Sequence, residues 1–237
     1  MSKQLLITFL SIFILSQSHA QQLYYRNPDS TLMRNFTDSL NRIALSNTDS
    51  NSLLKYQFNY ILKFYPNMLV KNILIETKEA REVVKTRPVF STILKSPEQR
   101  VYKITFSKST KSTLDSILID NLSFNSQLGL IAKQIAKIDE LSTSGFWDFT
   151  AWYFRHLTRR GRNRIEATAE KKTLEIGLGY QLLALNQEIV EKLNIDKWKS
   201  VKGYTRYVKY TKNAAMKPNL INDFINDLPV YITKEYN

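Results

Sequence analysis

LSFNSQLGLIAKQIAKIDELS, residues 122–142, is the stretch on which the reading of this chain turns. Leu130, Ile131, Ile135 and Ile138 make it apolar, and its spacing predicts a helix. Lys133 and Lys137 interrupt the apolar run four residues apart, which puts both ammonium groups on one side of that helix. Helical spacing continues from Ser123 to about residue 194, with breaks expected near Gly145, Gly161 and Gly177.

Upstream the pattern changes. Leu69–Ile75, Val89–Leu94, Val101–Phe106 and Ile117–Ile119 are short runs rich in β-branched residues, separated by Pro, Lys, Ser and Thr, and they read as three or four strands of a small mixed sheet. Before them, Leu32, Phe36, Leu40 and Ile43 follow the caps Asp29 and Ser30, and Leu54, Phe58, Ile61 and Tyr65 precede Pro66. Both sets predict amphipathic N-terminal helices. Near the end, Pro218 opens a last short helix through Phe224 and Pro229 ends it. The order is helix, sheet, helix, without βαβ alternation, so the expected fold class is α+β.

The chain has 237 residues, of which 43% are apolar and 12% aromatic, enough for one sizeable core and too much for a disordered chain. With no linker or repeat, residues 21–237 are expected to form a single domain. There is no Cys and the only histidines are His19 and His156, which excludes disulfides, thiol nucleophiles and Cys-based metal sites. Residues 1–20 carry Lys3, the apolar run Leu5–Leu15, then Ser18, His19 and Ala20. That run falls short of the roughly 20 residues of a bilayer span, and it reads as a signal peptide cleaved after Ala20. The expected product is secreted or periplasmic.

The stretch from Leu122 to Leu183 resembles the centre of a secreted zincin-type metallopeptidase family. The usual pattern there is Ser-Phe-Asn-x-x-x-Gly-x-x-small-HExxH, then ExxxD, then Gly-x-Gly. Ser123, Phe124, Asn125, Gly129 and Ala132 match the leading frame, and Gly177, Leu178 and Gly179, followed by Tyr180, Gln181 and Leu182, match the trailing one. The resemblance aligns Lys133, Gln134, Ile135, Ala136 and Lys137 with HExxH, and Glu166 and Glu170 with ExxxD. It implies a zincin-like scaffold in which only Glu166 survives of three zinc ligands.

The chemistry of HExxH needs two imidazoles on one helix face and a carboxylate base for the metal-bound water. A protonated lysine repels a divalent cation, and Gln134 cannot act as a carboxylate base. His156 alone leaves the site short of imidazoles. No bound metal and no cofactor are therefore expected. The two lysines are expected to pair with Glu166 and Glu170, two fixed cations standing where a zinc dication stood.

Charge is concentrated elsewhere. Arg155, Arg159, Arg160, Arg162 and Arg164 form one basic stretch, and Lys192 to Lys217 forms another that includes Lys199, Lys202, Arg206 and Lys209. Against a formal charge of +13 for the whole chain, these two stretches hold most of the excess, and they are the candidate anion-binding residues. Tyr204, Tyr207 and Tyr210 interleave with the second stretch at a spacing that suits packing as well as stacking. Phe146, Trp147, Phe149, Trp152, Tyr153 and Phe154 precede the first, as a segment covering the Lys133 helix or lying at a membrane interface.

No Gly-rich phosphate loop, nucleophile elbow or Walker lysine is present. The expectation is a catalytically inactive metallopeptidase-like protein that binds an unknown protein or peptide partner, with strand addition as its mode. An anionic polymer or a membrane surface is the second partner class, with no specific nucleic acid expected. An enzyme using unrecognised residues is the third reading.

Overall fold

The computed structural model describes residues 43–46, 52–69, 71–110, 112–143, 145, 150–152, 154–155, 158–195 and 216–232. The elements in order are β1 (Ile43–Ser46), α1 (Ser52–Leu62), β2 (Asn72–Lys78), β3 (Val84–Pro88), β4 (Val101–Ser107), α2 (Phe124–Ser142), α3 (Arg159–Glu175), α4 (Gly179–Lys192), α5 (Pro218–Asp227) and α6 (Pro229–Ile232). The sheet runs β1-β2-β4-β3, with β1, β2 and β4 parallel and β3 antiparallel at one edge. The fold is a mixture of helix and strand with a small mixed sheet.

Several expectations change. Ile43 does not end a helix but opens β1, and the rest of that expected helix, Leu32 to Leu40, lies outside the described residues. Ile43–Ser46 pairs in register with Ile73–Glu76, and β1, α1 and β2 form a βαβ unit that the sequence order did not suggest. A four-residue strand is too short to carry its own period, so tertiary pairing decides it. Helix α1 stops at Leu62 rather than reaching Tyr65, ahead of a 3-10 turn opened by Pro66.

The third strand is Val84–Pro88, not Val89–Leu94. Its burial alternates, with Val84, Thr86 and Pro88 inward and Lys85 and Arg87 exposed, so two cations hid a period of two. Phe90–Thr92 is instead a 3-10 turn in which Thr92 Oγ1 donates to Val89 O at 2.8 Å. Ile117–Ile119 is likewise no strand. Two 3-10 turns meet there, the first capped by Ser112 and held by Asp115, which accepts from Thr110 N at 2.6 Å. The break expected near Gly161 falls at Thr158, the N-cap of α3, and Gly161 itself lies in the first turn, where its N–H donates to Thr158 Oγ1 at 3.1 Å. Pro229 follows the end of α5 at Asp227 and opens α6.

The core lies on one face of the sheet. Ile73, Ile75, Tyr102, Ile104, Phe106 and Val84 are buried, and Phe58 of α1 meets Phe106 edge-on at 6.1 Å between ring centroids. Helix α2 is the axis of the molecule, touching α1, α3, α4 and β3. Leu128, Ile131, Ala132, Ile135 and Ile138 bury one face of it, and Gly129, Leu130, Gln134, Ala136 and Lys137 extend the burial nearly all round, as expected of a central helix. Its N-terminus is capped from α4: Glu188 accepts from Ser123 N at 3.0 Å and from Ser123 Oγ at 2.7 Å. A carboxylate at this end satisfies orphan N–H groups and the helix dipole together.

The glycines of the resembling frame have a packing cause. A Cβ on Gly129 would sit 2.3 Å from the backbone oxygen of Gln181, so α2 and α4 touch backbone to backbone there. Gly177 ends α3 at φ 92°, a conformation that side chains resist. Gly129→Ala is therefore expected to cost about 1–3 kcal/mol by forcing the two helices apart. Urea denaturation would check it, and an unchanged midpoint would mean the contact relaxes freely.

Candidate functional site

The lysine spacing on α2 meets the glutamate spacing on α3. Both pairs are four residues apart, so each presents two side chains on one face, and the faces oppose. Lys133 Nζ lies 2.7 Å from Glu170 Oε1 and 3.1 Å from Glu166 Oε2, and Lys137 Nζ lies 2.5 Å from Glu166 Oε1. The four charges sum to zero within one contiguous cluster. It is deep: the Glu170 side chain is 0% exposed and that of Lys137 8%.

Around it stand partners that the sequence did not single out. Gln134 Oε1 accepts from Lys137 Nζ at 3.1 Å and from Thr86 Oγ1 of the edge strand at 3.0 Å, while its Nε2 donates to Leu130 O at 3.3 Å. Glu170 Oε2 accepts the backbone N–H of Met216 at 2.8 Å, and Asn186 Nδ2 donates to Met216 O at 3.0 Å. Helix α5 begins two residues later, so the cluster also anchors the C-terminal helices. No local signal marks Thr86, Asn186 or Met216, because each is recruited across 30 to 48 residues of sequence.

Electrostatics divide the two carboxylates. Burial pushes Glu166 upward, but the ammonium groups of Lys137 and Lys133 more than reverse this and hold it at about 2. Glu170 is raised, since burial outweighs the pull of Lys133. Burial also lowers Lys137, against the attraction of Glu166. For Glu166 the folded value lies below the unfolded one near 4.5, so its stability contribution is full above about pH 4.5 and is lost as pH falls towards 2. A shift of this size corresponds to on the order of 3 kcal/mol. Denaturation midpoints measured from neutral pH to pH 2 should fall in that window, and Glu166→Gln should flatten the fall. Equal slopes in the two proteins would remove Glu166 as the cause.

A cavity of about 50 Å³ opens beside the cluster. Val83, Val84, Leu114, Ile117, Leu130 and Leu185 wall it, and Lys133, Gln134, Lys137 and Glu166 form its polar end. One water needs about 10–15 Å³, so the space suits a few waters or one aliphatic side chain.

These residues do not fit zinc. Its ligands would have to come from a cluster holding two ammonium groups, and no group of three His, Asp or Glu suited to a metal exists among the described residues. Of the anion-binding candidates, Arg155, Arg160, Arg162 and Arg164 expose their side chains, and Arg159 opens α3. Lys199, Lys202, Arg206 and Lys209 lie outside the described residues, as do His156 and Tyr204, Tyr207 and Tyr210. Of the aromatic run, Trp152 is buried and Phe154 is exposed, while Phe146, Trp147, Phe149 and Tyr153 also fall outside. Residues 1–20 are outside as well, and no described helix is long and apolar enough to cross a membrane. No family model, curated protein or solved structure matches the chain.

Proposed function

We propose that this chain is a secreted, zincin-like protein without peptidase activity, whose remaining work is to bind an extended peptide beside the Lys133 helix. The observation that carries the reading is the ion cluster. Two lysines at the ligand positions of the resembling motif touch the one carboxylate, Glu166, that the same motif assigns to zinc. Gln134, at the position of the general base, is held by Thr86 and Lys137 and offers no proton acceptor of carboxylate strength. The cluster thus replaces a catalytic centre with a neutral structural one.

Peptide binding needs no metal. Strand β3 ends the sheet, and the cavity walled by Val83 and Val84 lies between it and α2, so a chain laid along this edge can seat one apolar side chain there. A peptide array probed with the protein should show binding that Ile117→Trp abolishes by filling the cavity, with thermal stability measured alongside. Binding insensitive to that substitution, or no binding at all, would sink the proposal.

The exposed arginines of the first turns of α3 and just before it favour a second reading, an anionic polymer held through Arg155, Arg160, Arg162 and Arg164. Heparin affinity should then fall steeply with salt and drop on charge reversal of Arg160 and Arg164. Salt-independent retention would dismiss it.

A further inference from the structure

We infer that the loop between β3 and β4 is a membrane-docking tip, which inserts Phe90 and Leu94 into an anionic phospholipid surface. The inference does not rest on the peptide-binding reading, since it uses none of the cavity or cluster residues. Phe90 and Leu94 are each 84% exposed, the two most exposed large apolar side chains described. A solvent-facing pair of this size is costly to leave in water.

Their exposure is built into a tied-down loop. Thr92 is buried beneath them, and its hydroxyl donates to Val89 O at 2.8 Å while accepting from Val101 N at 3.0 Å. Arg100 is 2% exposed and its Nε donates to Lys95 O at 3.1 Å, and Lys71 Nζ reaches Pro97 O at 3.3 Å. The loop is therefore braced from below, with two apolar side chains directed away from the core that braces it.

Charge decides the occupant. Lys95 is exposed beside Leu94, and Lys85 and Arg87 are exposed on the strand that feeds the loop. None of these three has an ion pair among the described residues. Arg87 stands directly across from Lys103 in the register, and Lys103 takes the carboxylate on this stretch, Glu76, at 3.1 Å. Glu98 is the sole acidic residue between Val89 and Arg100. An apolar tip with one exposed cation beside it, Lys95, and two more along the strand that leads to it, Lys85 and Arg87, matches the two layers of an anionic bilayer: acyl chains for Phe90 and Leu94, phosphates for the cations.

The test is co-sedimentation of the protein, as its producing cell processes it, with vesicles of phosphatidylcholine alone and of equal parts phosphatidylcholine and phosphatidylglycerol. The wild type should pellet with the mixed vesicles, and Phe90→Ser with Leu94→Ser should weaken partitioning on the order of 100-fold. Lys85→Glu, Arg87→Glu and Lys95→Glu should each weaken it roughly 5-fold on mixed vesicles only. All five positions are exposed, so circular dichroism should remain that of the wild type. Absence of wild-type binding, or equal binding by the serine variant, overturns the inference. Self-association in ultracentrifugation that vanishes in the serine variant, without vesicle binding, also overturns it and assigns the tip to a second copy of the chain.

Discussion

Glu166→Leu is expected to destabilise the protein by about 3–5 kcal/mol, the cost of stranding a buried cation. Lys137 sits at 2.5 Å from Glu166, and it also donates to the neutral oxygen of Gln134 at 3.1 Å. Without the carboxylate its charge keeps only the more distant attraction of Glu170 at 8% exposure, so deprotonation or opening of the helix pair is expected. Lys133 is buffered because Glu170 remains at 2.7 Å. The informative comparison is the double variant Lys137→Met with Glu166→Leu. Removing both charges deletes the desolvation cost along with the attraction, so the double variant should be more stable than Glu166→Leu alone, and near the wild type. Urea unfolding of the wild type, Glu166→Leu, Lys137→Met and the double variant closes this cycle. A double variant worse than the sum of its singles would mean that the ions hold the helices together by more than their mutual neutralisation.

Lys133→His, Gln134→Glu and Lys137→His in one chain should create a zinc site. The two ammonium nitrogens that now flank Glu166 lie at 3.1 and 2.5 Å from its two oxygens, so imidazoles on the same helix face converge on the same carboxylate. Two histidines and a glutamate are a sufficient protein ligand set for tetrahedral zinc with one open position. Metal analysis after gel filtration should find about one zinc per chain in the triple variant, lost again on Glu166→Ala. Folded triple variant without zinc would show that α2 and α3 do not present their side chains as a metal centre requires. The claim of a former metal site would then fall, whatever the wild type binds.

Legibility of the molecule followed the range of each interaction. Helix α2 could be read because its apolar residues and its two lysines repeat with the helix period, and that period is local. The glutamate spacing on α3 could be read for the same reason. Strand β3 could not, since Lys85 and Arg87 made Val84, Thr86 and Pro88 look like a polar connection, and the adjoining apolar run drew the assignment instead. β1 escaped notice because four residues acquire strand identity only by pairing with Ile73–Glu76.

By itself, the sequence determined the helical frame, the two i, i+4 pairs, the glycines at 129, 177 and 179, and the lack of imidazoles for a metal. The motif resemblance led to the expectation that the two pairs meet, but only the tertiary structure decided which oxygens each ammonium touches across 29 to 37 residues, that Thr86 donates to Gln134, and that Met216 is tied to Glu170. The reason is the nature of the forces. Periodicity expresses backbone geometry over a few turns, which any window of sequence displays. Ion pairs and hydrogen bonds act over a few ångströms of space, and the chain's path alone determines which residues come that close.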